Sequence, residues 1–195
     1  MSARIGNAAN TERLTVRGHA LVLGVILFLA SELMFFAAWF AAYFDLRGRS
    51  GQWPPAGVVL DPVEPSLGTA LLGISSLFVF LAIRDVHAHR RTRARLWLTG
   101  TLLCGVLFLA ETFHGWSKNT FTLTSHAYGS VFYGMTGFHA AHVTAGVIML
   151  AFLTAGVDKP GFTEEHAAGA EAISYYWHFV FAVWVGLWAT IYFVR

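Results

Sequence analysis

Between Leu21 and Phe44 the chain reads LVLGVILFLASELMFFAAWFAAYF, a run long and apolar enough to cross a membrane, with one carboxylate, Glu32, near its middle. An ionised carboxylate in hydrocarbon costs several kcal/mol, so such groups are rare there and mark functional sites or buried polar pairs. Glu32 must be protonated, be paired with a base, or face protein in place of lipid. Each option requires neighbours. The chain must therefore fold as a multi-helix membrane protein with something polar packed against that helix.

Composition agrees. Of 195 residues, 56% are apolar and only 12% are charged, about half the globular norm of roughly 25%. Seventeen Phe and seven Trp are too many for a soluble core of this size. The net charge of +2 gives no case for nucleic-acid binding. With Cys104 the single cysteine, an internal disulfide, a two-cysteine copper site and a CxxCH haem attachment are all excluded. The first apolar run is too long for the core of a cleavable signal peptide, so none is expected.

Apolar stretches of about 20 residues predict an all-α integral membrane bundle of five transmembrane helices, at about 18–44, 66–83, 96–113, 128–157 and 172–194. A polar tail, 1–17, precedes a single membrane domain over 18–195. RDVHAHRRTRAR, after the second run, reads as a basic loop; GRSGQWPPAGVVLDPVEP, after the first, is too rich in Pro and Gly to be helical throughout. Nine Lys and Arg fall on one side (Arg4, Arg13, Arg17, five from Arg84 to Arg95, and Lys159) and four on the other (Arg47, Arg49, Lys118, Arg195). Positive charge stays in the cytoplasm, which puts the N-terminus inside and the C-terminus outside.

Rise per residue then sets depth. Glu32 lies about 21 Å from the inner boundary at ~1.5 Å per residue, and His142 lies as far from the outer one. His139 is one turn nearer the outside on the same face. Glu32 is therefore expected to pair with His142 first and His139 second, either as a tether between helices or in a proton-linked role. Phe28, Phe36, Trp39 and Tyr43 extend the Glu32 face as an aromatic stripe that suits packing or lipid contact, as does Trp177. Ala37, Ala38, Ala41 and Ala42, with Gly137, Ala141 and Ala145, read as seams of close helix approach. Glu111 and His114 share a face near the outer end of the third helix, where an ionisable group is cheap. His178 lies about 10 Å into the fifth helix and needs a partner that the sequence does not name. A zinc site takes about four ligands and HxxH offers two, so neither a metal nor a catalytic residue is expected in this chain.

Four segments carry a resemblance. SELMFFAAWFAAYF, the WPP at Trp53 to Pro55, AYGSVFYGMTGFHAAHVTAG from Ala127 to Gly146 and SYYWHFVFAVW from Ser174 to Trp184 look like subunit III of the haem-copper terminal oxidases, in the family's order. The resemblance implies a subunit without redox centres that packs on subunit I, holds phospholipid, and supports proton uptake and the durability of the oxygen-reducing site. Glu32 matches the carbodiimide-reactive carboxylate of the family, Phe138 to Val143 its FHxxHV motif, and Glu111 an acidic residue before an outer loop. Mitochondrial members have seven helices; this chain resembles the shorter bacterial form lacking the first two. The family usually reads WHFVD, whereas Phe181 stands here at the aspartate's position.

The expected function is that of a non-catalytic subunit of an aerobic, proton-translocating cytochrome c oxidase in a bacterial plasma membrane. Subunits I and II, carrying the haems and copper, would be its partners, with membrane lipids and a larger respiratory supercomplex around them. Subunit III of a quinol oxidase, or the related protein that accompanies nitric oxide reductase, is the alternative. A proton-coupled transporter or a haem-bearing membrane anchor is a more distant rival, because five spans show no internal repeat.

Overall fold

The structure, a computed structural model, describes the backbone of residues 2–159, 162 and 164–194 and the side chains of 20–159, 162 and 166–194. It consists of five helices: α1 (Ser2–Arg49), α2 (Val63–His87), α3 (Arg91–Lys118), α4 (Ala127–Gly156) and α5 (Glu164–Tyr192). Each contains a stretch long and apolar enough to cross a membrane. Helices are the expected outcome, since in hydrocarbon every backbone polar group must be satisfied within its own segment.

The helices outrun the apolar runs that predict them. α1 extends back to Ser2, so the helix begins well ahead of the first span. The arginine-rich segment after the second run is not a loop. α2 continues to His87 and α3 starts at Arg91, leaving only 88–90 between them, with His89 in the left-handed region at φ 55°. Hydropathy measures the hydrocarbon layer, and the helices carry on through the polar interface beyond it. His126 stands just before α4, and its Nδ1 accepts from the Gly129 amide at 2.8 Å and caps the first turn.

α5 is the centre of the bundle. It packs on α1, α2 and α4, while α2 pairs with α3 and α3 with α4. α1 also touches α4, and burial within the spans is least in α1, at 6%, and greatest in α5, at 44%. Much of α1 is apolar and unburied, including Leu23, Leu27, Leu33 and Met34, which makes it a peripheral helix suited to lipid or another chain.

The predicted small-residue seams lie elsewhere. Ala37, Ala38, Ala41, Ala141 and Ala145 are exposed, and a side chain added at Gly137 would meet open space. Close approach instead occurs where an aromatic ring enters a glycine gap: Trp39 over Gly134, Phe40 over Gly186, and Trp177 between Gly105 and Gly146. The helices pack by large knobs in small holes, so runs of alanine do not mark the contacts.

Candidate functional site

α1 and α4 bring Glu32 and His142 together, with Glu32 Oε2 2.9 Å from His142 Nε2. The other ring nitrogen fixes the chemistry. His142 Nδ1 lies 2.7 Å from the Phe138 carbonyl oxygen, which can only accept, so Nδ1 carries a hydrogen. Across the remaining bond sits one proton, giving either a neutral acid donating to a neutral imidazole or an imidazolium facing a carboxylate. Both forms are neutral overall, which removes most of the cost of placing Glu32 at this depth. The two side chains are 21% and 17% exposed.

Aromatic groups enclose the pair. Phe36 stands edge-on to the His142 ring at 5.1 Å, and Phe35 stacks near it at 6.4 Å. Tyr176 of α5 stacks at 6.5 Å and donates its hydroxyl to the His142 backbone carbonyl at 3.0 Å. Sequence reasoning missed Tyr176; its position beside Trp177 in YYWHF gave no sign that it reaches α4. The aromatic stripe of α1 divides: Phe36 and Tyr43 are buried, Trp39 is half-buried, and Phe28 is exposed.

His139 is not a second partner for Glu32. It is 1% exposed and stacks on Trp184 at 5.1 Å, with Phe108 edge-on at 5.8 Å. Neither of its ring nitrogens has a hydrogen-bond partner among the described residues. It lies three positions before His142, a rotation large enough to turn one imidazole into the α3–α4–α5 core and the other toward α1. Among the described residues no cluster of three or more His, Cys, Asp or Glu is placed to hold a metal ion.

His178 and Trp177 belong to a row of polar contacts between α5 and α2. His178 Nδ1 lies 2.5 Å from Ser76 Oγ. Trp177 Nε1 donates to Ser75 Oγ at 2.9 Å, Trp184 Nε1 to Thr69 Oγ1 at 2.9 Å, and Trp188 Nε1 to Ser66 Oγ at 3.2 Å. Hydroxyls meeting ring nitrogens hold transmembrane helices together where no hydrophobic driving force acts between them. Phe181 lies within this row, its ring 3.5 Å from where a side-chain carbon on Gly73 would sit. Phe181 thus makes an apolar contact against glycine inside a row of polar ones. Ser76→Ala should cost about 1 kcal/mol by leaving the imidazole short of a partner, measured as loss of folded protein on heating in detergent.

Glu111 and His114 part company. Glu111 turns inward, its Oε2 packed against Gly68 of α2 and unpaired among the described residues, whereas His114 is exposed. Glu111 borders a cavity of about 140 Å³ shared with Thr112, Thr136 and Tyr192, polar and roomy enough to admit water. Glu64, on the rim, is ion-paired with Lys118.

These features define a multi-pass α-helical membrane protein whose most deeply placed carboxylate is neutralised by a histidine on a neighbouring helix. Residues 6–195 match the family model for cytochrome c oxidase subunit III, and the chain belongs to that family. It is 44% identical over 189 residues to a probable cytochrome c oxidase subunit 3 of Nocardia farcinica, covering 92% of this chain and 90% of that one. Against a probable cytochrome c oxidase subunit 3 of Mycobacterium bovis it is 38% identical over 210 aligned positions, across the whole of both. Against the cytochrome c oxidase subunit 3 of Cyprinus carpio it is 38% identical over 176 residues, 87% of this chain but 67% of the carp protein.

Proposed function

We propose that this chain is the non-redox third subunit of an aerobic cytochrome c oxidase in a bacterial plasma membrane, packing on subunit I and supporting proton uptake, lipid binding and the durability of the oxygen-reducing centre. The observation that carries this is similarity over nearly the full length to proteins named cytochrome c oxidase subunit 3. Those names also favour cytochrome c over quinol as the electron donor. The unburied apolar face of α1 gives a partner subunit or lipid a surface to cover. The haems and copper would be held by subunits I and II, and the N-terminus would lie in the cytoplasm, where the lysine and arginine excess places it.

In this role Glu32 and His142 hold one proton between two helices without net charge, and they do so beside apolar surface that faces lipid. We assign them a supporting part: joining α1 to the bundle and keeping the lipid-facing wall of the complex in shape. An oxidase purified through subunit I from cells lacking this chain should begin turnover at close to the normal rate and then lose activity several-fold faster. An unchanged rate of loss would overturn the proposal. Affinity-tagging this chain tests the assembly directly, since haem absorbance should follow the tag in the complex and be absent from the isolated chain.

A further inference from the structure

The five arginines from Arg84 to Arg95 divide into two groups. Arg91 donates to the Phe162 carbonyl at 2.9 Å and the Lys159 carbonyl at 3.2 Å, with its guanidinium 5.3 Å above the Phe162 ring. Arg95 donates to Asp158 Oδ2 at 3.0 Å. These two pin the α4–α5 connection to the start of α3. Arg84 and Arg93 are exposed and make no ion pair among the described residues, and Arg90 comes only to 3.9 Å of Asp85.

Those three arginines line the mouth of one groove between α2 and α3, of about 800 Å³. Its other end is apolar, with Phe78, Leu81 and Gly100 along it. Gly100 lets the Phe78 ring lie close against α3 at the apolar end: an added side-chain carbon there would lie 3.0 Å from that ring. Trp97 closes the wall, its ring 5.4 Å from Phe78 and its Nε1 donating to Asp85 Oδ2 at 3.1 Å. From Phe78 to Arg84 along α2 is about 9 Å at ~1.5 Å per residue, which matches a phosphoglycerol unit leading into the first carbons of an acyl chain. The first turn of α3 has no side-chain cap, so its free amide groups lie at the same end as the arginines.

We propose that this groove is a binding site for one anionic phospholipid, with the phosphate between Arg84, Arg90 and Arg93 and an acyl chain against Phe78 and Gly100. Three guanidinium groups against one carboxylate, Asp85, leave a surplus of positive charge at headgroup level, and the groove below them is lined by Phe78, Leu81, Leu96 and Gly100. An anion on an acyl chain meets both conditions, whereas free phosphate or an apolar helix meets one. The site stands on the groove and its charges and does not depend on the contact with subunit I proposed above.

The test uses the full chain purified in mild detergent with whatever subunits accompany it, stripped of loosely held lipid and titrated with dioleoyl phosphatidylglycerol under native mass spectrometry. Arg84→Gln/Arg93→Gln should raise the lipid concentration needed for binding by at least about tenfold. Arg95→Gln, which removes a charge at the same helix end but outside the groove, should change it by less than about twofold, and phosphatidylcholine should not compete. Equal weakening by Arg95→Gln would mean diffuse attraction and overturn the site, as would no weakening in the double variant. On the wild type alone, full competition by soluble glycerophosphoglycerol would show that the apolar arm contributes nothing. Cross-linking of Arg84 or Arg93 to an acidic side chain of another subunit would assign the groove to protein. Haem accompanying the chain is read separately, so failure of the oxidase assignment and failure of the lipid site remain distinct.

Discussion

Trp177→Ala is expected to cost the bundle about 3–5 kcal/mol, the usual penalty for emptying a large buried aromatic site. The ring is 1% exposed and joins four helices. From α5 it enters the gap between Gly105 of α3 and Gly146 of α4, and its Nε1 donates to Ser75 Oγ of α2 at 2.9 Å. Ser75 in turn donates to the Leu72 carbonyl at 2.7 Å, so the hydroxyl has both partners only while the indole is present. No rearrangement of one helix can refill a void bounded by three others. For a chain of this length the loss amounts to a fall of roughly 6–20 °C in the midpoint of thermal unfolding in detergent. Filling the gap from the other side should also destabilise: a side chain on Gly105 or Gly146 would meet the Trp177 ring at 2.7 or 2.8 Å, an overpacking worth about 1–3 kcal/mol or more. If Trp177→Ala unfolds within about 2 °C of the wild type, the ring is not the keystone described.

Hydropathy alone made some of this architecture legible. It located the spans, because about 20 apolar residues in a row have few other uses. Rise per residue then placed Glu32 and His142 at one depth, and the structure has them hydrogen-bonded. Depth is an axial coordinate, however, and the lateral arrangement has no comparable signal: lipid tails and helix interiors are equally apolar, so periodicity does not say which neighbour a face meets. That is why the indole and imidazole contacts of α5 with Ser66, Thr69, Ser75 and Ser76 were not foreseen. It is also why Ala37, Ala38 and Ala41, plausible as a seam, lie on an open face. Glu111 failed differently. Its short distance from the helix end argued for cheap solvation, but Gly68 opposite it leaves room for the carboxylate to turn inward. The arginine-rich segment looked like a loop because charge was read as irregular structure, when it marks only where each helix leaves hydrocarbon.

Glu32 separates stability from function through two substitutions that differ in one respect. With His142 Nδ1 committed to the Phe138 carbonyl, Nε2 depends on whatever position 32 supplies. Glu32→Ala supplies nothing and leaves a half-buried ring nitrogen unpaired, a loss of about 1–3 kcal/mol. Glu32→Gln supplies a carboxamide of nearly the same shape, whose NH₂ donates to the neutral imidazole, so the tie between α1 and α4 persists and stability should fall by less than about 1 kcal/mol. The amide cannot share or release a proton as the carboxyl does. If the pair only joins helices, the Gln variant should match the wild type in both unfolding and loss of oxidase activity during turnover, while Ala is impaired in both. If the shared proton matters, Gln should unfold like the wild type yet inactivate as fast as Ala. A Gln variant as unstable as Ala would mean that His142 requires a negative charge at position 32, which assigns the pair to its imidazolium–carboxylate form. Measuring both properties on the two variants therefore decides what an otherwise expensive carboxylate does inside the apolar span of α1.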